Sequence, residues 1–362
     1  MLRGKQVSRT ASIRRVVARR STEFEDEYYQ NYYRRGLRAA IPEACFSSFP
    51  STSRGVRSLQ RRWRRWRGEE RAGFAFPAAA HVGQYRVELR NGRWLKVAID
   101  AHDAPVLRDP GAADWADLYF KSNFWPEYNY PPGVAPIVNG NGELSPENLR
   151  ELRSLRTREK THDLVFVSRL WGGIEHNCRL FEALRKLPGK VRLLAVIPAE
   201  SGTYGRELER AAIRLEKAGI PCTRKLVPKT QLWRELAASR LVLLRAGKHL
   251  CLPWRTLDLL AMGSCIVMEA DPRPQWPTPL EKNVHFASLD LRRPEDTGPA
   301  PAEDYEAIPD RLGALLENAT QRTSLAAAAQ YYFEEYACPE AVGRYLCTLI
   351  ESLPDSRPDH EH

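Results

Sequence analysis

The second half of the chain alternates between short apolar runs and longer amphipathic stretches. Helices are predicted at 177–186, 204–218, 230–238 and 255–262, and strands at 164–168, 191–197, 222–226, 241–244 and 265–269. Strands separated by single helices form right-handed crossovers and a parallel sheet. The pattern therefore predicts a Rossmann-like domain, with bounds at residues 160–300.

The first half has a weaker pattern. Short β-like runs at 85–89, 95–99, 118–120 and 135–138 are separated by turns rich in Pro, Gly and Asp. They predict a second α/β domain at residues 81–145, followed by a helical connector. Residues 1–80 show no strand signal and are predicted to form a helical or irregular arm, so the N-terminal domain is expected to be atypical or shortened.

Charge is distributed unevenly. The formal net charge is +10, yet residues 1–72 alone carry 18 basic and 7 acidic residues, which leaves the remainder close to neutral. Within residues 54–67, Val56, Leu59, Trp63 and Trp66 have helical spacing and are surrounded by arginines. Such a helix suits an anionic membrane surface. Alternatively, the tryptophans cover a neighbouring domain. RNA binding is a weaker third interpretation, and we do not expect nucleic acid as a partner because the body of the chain is neutral.

The cysteines and the apolar runs indicate the cellular compartment of the protein. The seven cysteines form no C-x-x-C pair, and no apolar run approaches the ~20 residues of a membrane-spanning helix. The N-terminus lacks the apolar core of a secretory signal. We expect a cytoplasmic protein, peripheral to a membrane if the basic segment binds lipid.

The stretch from Arg245 to Glu269 carries the strongest candidate chemistry. A polar loop precedes a helix that has Asp258 on its first turn, and Gly263 follows the helix. Ligands of parallel sheets bind at the carboxyl ends of the strands, where helix N-termini attract anions. An acid at this position can bond both hydroxyls of a ribose, while Arg255 faces phosphate. An ordinary helix-start acid would give the same pattern.

The segment Arg255-Thr-Leu-Asp258-Leu-Leu-Ala-Met-Gly263 resembles the Arg-x-x-Glu-Ala-x-Ala-x-Gly core of donor-binding domains in GT-B glycosyltransferases, especially the exostosin-like and group 1 enzymes. Val165-Phe-Val-Ser-Arg169 is similar to the first strand and loop of that domain, and residues 305–353 resemble the closing helices. The resemblance covers about residues 97–353 and is good only over 163–290. It implies a GT-B fold, with two Rossmann-like domains built on parallel sheets.

The same resemblance implies a metal-independent transferase that moves a sugar from a nucleotide-sugar to a glycan or lipid-linked acceptor. The nucleotide-sugar is the donor substrate, and no cofactor or metal is expected. Donor-binding residues are expected among the cations and the acid of the strand-end loops, namely Arg169, Lys229, Arg245, Lys248, His249, Arg255 and Asp258.

Two departures from the family pattern matter. Leu250 occupies the position of the first acid in the Glu-x7-Glu pattern of retaining enzymes, so inversion is favoured. The lysine that often follows the first-loop arginine is also missing, so phosphate binding is expected to rely on Arg169, Arg245 or Lys248. A non-catalytic GT-B-like binding protein is therefore an alternative, and an RNA-binding protein acting through the basic arm is a second.

The candidate catalytic groups follow a predicted strand of the first domain. An inverting transferase needs a base for the acceptor hydroxyl, and Asp100, His102 and Asp103 lie where that strand meets the expected cleft. A turn explains Asp103 equally well. The aromatic stretch 119–130 could stack on a sugar acceptor or pack between the domains.

Overall fold

The computed structural model describes residues 12–20, 24–50, 79–170, 172–198, 204–292 and 298–354. Within these ranges the chain forms two six-stranded sheets with helices packed around them. The fold is therefore α/β, with one sheet in each half of the chain.

The first sheet has the order β2-β1-β3-β4-β5-β6. Its strands are β1 Ile13–Arg20, β2 Cys45–Pro50, β3 Val82–Leu89, β4 Trp94–Asp100, β5 Leu118–Lys121 and β6 Val134–Pro136. The strand β3 runs antiparallel to both β1 and β4, whereas the remaining neighbours are parallel. Three of its five strand pairs are parallel and two are antiparallel, so the sheet is mixed, as expected of an atypical N-terminal domain.

The expectation of an arm without strands is wrong for the described part of residues 1–80. The strand β1 pairs with β3, and the helix α1, Phe24–Ala40, connects β1 to β2. The basic residues of β1 obscured its pattern, because Val16 and Val17 are buried while the neighbouring Arg14 and Arg15 are exposed. The candidate basic segment, residues 54–67, lies outside the described residues.

The described residues of the first half form three α-helices. They are α1, α2 Pro110–Trp115 and α3 Pro146–Ser154, the last continued by a 3-10 turn at Leu155–Thr157. Ser145 caps α3, since its side chain accepts a hydrogen bond from the Asn148 backbone N–H. The connector between the sheets is therefore helical.

The second sheet has the order β12-β11-β10-β7-β8-β9, and all of its pairs are parallel. Its strands are β7 His162–Arg169, β8 Val191–Val196, β9 Cys222–Thr223, β10 Ser239–Leu244, β11 Ile266–Met268 and β12 Ala287–Ser288. Its crossover helices are α4 Ile174–Arg185, α5 Gly205–Lys217, α6 Lys229–Ala237 and α7 Arg255–Ala261. The predicted alternation of strands and helices is confirmed, and the order of the strands is doubly wound.

The C-terminal helices return to the first half. They are α8 Ala302–Glu306, α9 Ile308–Glu317, α10 Ala319–Tyr332 and α11 Pro339–Ser352, with a π-helical turn at Phe333–Ala337 between the last two. The helix α11 packs directly on α1, and the Tyr32 hydroxyl of α1 donates to the Ala337 carbonyl. One apolar core therefore extends from the first sheet to the facing side of the second.

Candidate functional site

A cavity of about 720 Å³ opens at the carboxyl ends of β7 and β10, beside the start of α7. Its lining comes from three segments and one proline: Phe166–Arg169, Leu243–Gly247, Pro253–Arg255 and Pro198. This is the edge of a parallel sheet at which ligands are expected. The volume is in the range of ordinary small-molecule sites.

Three arginines line this cavity. Arg169 is exposed at the end of β7, and its guanidinium makes no hydrogen bond or ion pair within the described part of the chain. The Arg255 guanidinium donates through Nη1 to the Val167 carbonyl at 2.8 Å, and burial lowers its pKa. Together with Arg245 they give the cavity the charge to bind an anion such as a diphosphate.

Arg245 ties β10 to the start of α4. Its Nη1 donates to the Gly172 carbonyl at 2.9 Å and to Asn177 Oδ1 at 2.8 Å. Asn177 in turn donates through Nδ2 to the carbonyl oxygens of Gly172 and Gly173. The guanidinium therefore holds two strand-end loops together at the wall of the cavity.

Asp258 lies behind the cavity rather than in its lining. Its side chain is 1% exposed, Oδ1 accepts from Asn141 Nδ2 at 2.8 Å, and Oδ2 accepts from Trp233 Nε1 at 3.0 Å. Burial raises its pKa to about 6, although Lys229, Trp233 and Arg255 oppose that shift. In this conformation both carboxylate oxygens have protein partners.

Lys229 also lies between the two halves and not in the cavity lining. Its Nζ is 3.4 Å from Glu143 Oε2 and stands over the Trp254 ring at 4.8 Å and the Trp233 ring at 5.4 Å. Burial lowers its pKa, and the acids Asp258 and Glu143 oppose the effect. The Trp254 side chain therefore lies between Lys229 and the cavity, and Lys229 makes a cation–π contact with its ring.

The turn Lys248–Leu250 follows the cavity segment 243–247. His249 and Leu250 both have left-handed backbone angles, with φ of 57° and 52°. Two successive residues of this kind are uncommon, and such strain persists only where surrounding contacts hold it. His249 is half-buried and is not part of the cavity lining, while the expected role of Lys248 in phosphate binding stays a prediction.

In the first sheet, Asp100 ends β4 and is completely buried. Its Oδ1 accepts from Lys121 Nζ at 3.1 Å and from the His102 backbone N–H at 2.8 Å. Its Oδ2 accepts from the Tyr119 hydroxyl at 2.8 Å and from the Arg108 backbone N–H at 3.0 Å. The carboxylate is thus surrounded by protein donors in the interior of the domain.

His102 and Asp103 lie closer to the surface of the cleft. His102 Nδ1 accepts from the Ala104 backbone N–H at 3.1 Å, so the neutral ring carries its proton on Nε2, and burial lowers its pKa to about 4. Asp103 is exposed, and the Cys251 thiol of the second half donates a hydrogen bond to it. Although the residue as a whole is exposed, partial burial of its carboxyl group raises the pKa of Asp103, while Lys121 opposes the shift.

The aromatic stretch joins the two halves. The Phe124 and Tyr130 rings are stacked at 4.6 Å, and the Tyr128 ring is tilted against Tyr130 at 4.9 Å. The Arg273 guanidinium lies 4.8 Å from the centre of the Trp125 ring. The Gln275 backbone N–H donates to the Phe124 carbonyl at 2.8 Å. Packing between the halves is therefore one role of this stretch, while Tyr128 keeps 40% of its surface exposed.

Several residues of the site were not predicted from the sequence. The turn Asn139–Glu143 was not among the predicted site segments, yet Asn139 Nδ2 donates to the Leu252 carbonyl and Asn141 Nδ2 donates to Asp258. The close fit depends on Gly142, where a Cβ would lie 1.9 Å from the Tyr28 carbonyl oxygen. Lys121 had a detectable signal, because a lysine within an apolar strand requires an acidic partner.

The fold agrees with that of a solved glycosyltransferase from Rickettsia africae, at a TM-score of 0.51 and 10% identity, over 95% of this chain and 99% of that one. Anabaena HepE in complex with UDP-glucose matches at a TM-score of 0.41 and 16% identity, over 66% of this chain and 64% of that one. MurG of Acinetobacter baumannii matches at 0.38 and 14%, over 70% and 67%. No family model matches the sequence, and no curated protein is similar to it.

The chain has the two-sheet GT-B fold of glycosyltransferases, with a mixed first sheet and a parallel second sheet. In the described ranges, no helix is long and apolar enough to cross a membrane. Nor does that part of the chain hold a group of three or more His, Cys, Asp or Glu side chains placed to bind a metal ion.

Proposed function

We propose that this protein transfers a sugar from a nucleoside-diphosphate sugar, which binds in the cavity at the ends of β7 and β10. The observation that carries the proposal is the set of three arginines, Arg169, Arg245 and Arg255, in the lining of a cavity of about 720 Å³, where no described residue is acidic. Guanidinium groups bind phosphate oxygens in a bidentate manner and keep their charge.

The arginines would also support the chemistry. When the bond between the anomeric carbon and the diphosphate oxygen breaks, that oxygen keeps the electron pair and negative charge develops on the leaving group. Positioned cations stabilise such charge in the transition state. We propose that the arginines do this without a metal ion.

Asp103 is the favoured base among the three candidates. Asp100 is enclosed by four donors, and neutral His102 has its lone pair directed at the Ala104 amide. Asp103 instead faces the second half of the chain at Cys251, and its raised pKa brings it closer to the working range of a general base. The acceptor hydroxyl would give its proton to Asp103 while its oxygen attacks the anomeric carbon, with inversion.

The acceptor is proposed to be a glycan or a lipid-linked sugar. Its support is the Arg/Trp pattern of residues 54–67, which suits the anionic inner face of a membrane. Flotation with anionic liposomes tests it. If a variant with the seven arginines of that segment changed to glutamine floats like the native protein, membrane recruitment through this segment is excluded.

The experiment that tests the donor site measures thermal stabilisation by a panel of nucleoside diphosphates and their sugars. Arg169→Gln should weaken binding about tenfold, since a hydrogen bond to a charged group contributes about 1.5–3 kcal/mol. Its unliganded melting temperature should not change, because the Arg169 guanidinium has no partner among the described residues. Arg210→Gln, an exposed arginine on α5, is the matched control.

Transfer is tested separately with Asp103→Asn. Loss of transfer with unchanged donor binding would support Asp103 as the base. No stabilisation of the native protein by any nucleotide would refute the proposal. Binding without hydrolysis or transfer would favour a GT-B-like binding protein.

A further inference from the structure

A chain of buried polar side chains lies behind the cavity. Glu269 follows β11 and is fully buried; its Oε1 accepts from the Ala246 backbone N–H at 3.0 Å, and its Oε2 is 2.8 Å from His176 Nε2. On the other side of the ring, His176 Nδ1 lies 2.6 Å from the Tyr305 hydroxyl. Four segments that are distant in sequence are thus joined.

The positions of the protons follow from the donors. The Tyr305 oxygen accepts from the Ala300 backbone N–H at 3.0 Å, and its hydroxyl proton points at His176 Nδ1 when that nitrogen is the acceptor. With Nδ1 as acceptor, the neutral ring carries its proton on Nε2 and donates it to Glu269. Every proton in this series of hydrogen bonds then has an acceptor. The last acceptor, the Glu269 carboxylate, also accepts a hydrogen bond from the Ala246 amide.

The series of hydrogen bonds from Tyr305 through His176 and Glu269 ends at the cavity. Ala246 lines the cavity, and its neighbour Arg245 is bonded to Gly172 and Asn177 at the start of α4, the helix that carries His176. One helix therefore fixes two successive cavity residues, Arg245 directly and Ala246 through His176 and Glu269. The strained backbone at His249 and Leu250 begins three residues later and needs such an anchor.

The geometry points to Tyr305, His176 and Glu269 as positioning residues that hold the loop 245–250 in its ligand-binding shape. This inference rests on the proposed nucleotide-sugar site. None of the three lines the cavity, so they act through the Ala246 amide and the Arg245 guanidinium rather than on the ligand. Catalytic and binding groups depend on such supporting contacts for their geometry.

The test compares two buried tyrosines of the same half of the chain. Tyr305→Phe removes the hydroxyl that orients His176, whereas Tyr332→Phe removes a hydroxyl that donates to the Thr278 carbonyl away from the loop. Tyr305→Phe should raise the Kd for a nucleoside diphosphate about tenfold, the usual effect of one lost buried hydrogen bond. Tyr332→Phe should leave it within twofold.

Hydrogen exchange of the unliganded protein provides a readout that does not depend on the proposed function. Peptides covering residues 244–252 should exchange about tenfold faster in Tyr305→Phe than in the native protein or in Tyr332→Phe, as a locally weakened loop opens more often. If the native protein binds no nucleotide and this difference appears, the proposed function fails and the positioning role stands.

Glu269 variants provide the second arm, which also serves if Tyr305→Phe does not fold. Glu269→Gln keeps an oxygen for the Ala246 amide and Glu269→Ala does not, so exchange of residues 244–252 should increase from native to Gln to Ala. Equal exchange of this loop in the native protein, Tyr305→Phe and Glu269→Gln, with equal Kd values, would overturn the inference.

Discussion

Asn141 Nδ2 lies 2.8 Å from Asp258 Oδ1 and joins the segment after the first sheet to the first turn of α7. The sequence singled out Asp258 as the acid for a ribose, yet its other oxygen is held by Trp233. A ribose could replace these partners only if the turn Asn139–Glu143 moved away. In the conformation described here, Asp258 connects the two halves of the molecule.

Asn141→Ala should therefore destabilise the protein by about 1–3 kcal/mol, because it leaves a buried carboxylate oxygen without its donor. It also removes the acceptor of the Tyr28 hydroxyl. Urea denaturation measures the loss, with the exposed Asn129→Ala as control. Should Asn141→Ala instead bind nucleotide more tightly than the native protein, Asp258 would be a ligand group that the turn normally blocks.

The buried Asp258 also predicts a dependence of stability on pH. Its pKa is about 6 in the folded protein and ~3.9 in the unfolded chain, so between these values the folded state binds more protons. The contribution to stability is fully present below pH ~3.9 and is lost as pH rises through about 6.

From pH 5 to pH 7 this group should lower the free energy of unfolding by about 1 kcal/mol. Asp258→Asn cannot titrate, and the difference between its profile and that of the native protein isolates the effect. Parallel profiles over this range would show that Asp258 is not buried as described. Urea melts at several pH values provide the data.

The order of strands and helices from β7 to β11 could be predicted because each strand of a parallel sheet is buried on both faces and appears as a continuous apolar run. The strand β1 could not. Its sequence, Ile13-Arg-Arg-Val-Val-Ala-Arg-Arg20, mixes core and exposed positions irregularly, and its neighbours β2 and β3 come from distant residues.

In the candidate site, too, local sequence patterns predicted positions within elements but not contacts between distant residues. The arginines at the ends of β7 and β10 could be predicted from their place after apolar strands, and they line the cavity. The partners of Asp258 could not, since Asn141 is 117 residues away and no local pattern encodes that contact. His176 and Glu269 were missed for the same reason, at a separation of 93 residues.

The buried pair of Lys121 and Asp100 should be sensitive to single substitutions. Both side chains are fully buried, and burial lowers the pKa of Lys121 while Asp100 opposes the shift. Removing one partner leaves an uncompensated charge, so Lys121→Met should cost about 3–5 kcal/mol.

The exposed pair of Arg224 and Glu209 is the control, and Glu209→Gln should change stability by less than about 0.5 kcal/mol. The double variant Asp100→Asn with Lys121→Met should be less destabilised than the sum of the two single variants. Additive losses would mean that the two groups do not interact.

The close contact between α1 and α11 allows a direct test of how the C-terminal helices pack on the first half of the chain. A Cβ at Gly343 would lie 1.9 Å from the Gly36 carbonyl oxygen, and a Cβ at Gly36 would lie 2.3 Å from the Pro339 carbonyl oxygen. Backbone atoms cannot turn aside as a flexible side chain can, so Gly343→Ala must push the helices apart. We expect the free energy of unfolding to fall by at least about 2 kcal/mol, as in overpacked cores.

Gly313→Ala on α9 is the matched control. Its Cβ meets no atom within 4 Å, and the better helix propensity of alanine should stabilise the protein by about 0.5–1 kcal/mol. If both variants gained stability in urea denaturation, α11 would not lie against α1, and the closing helices would have to pack elsewhere.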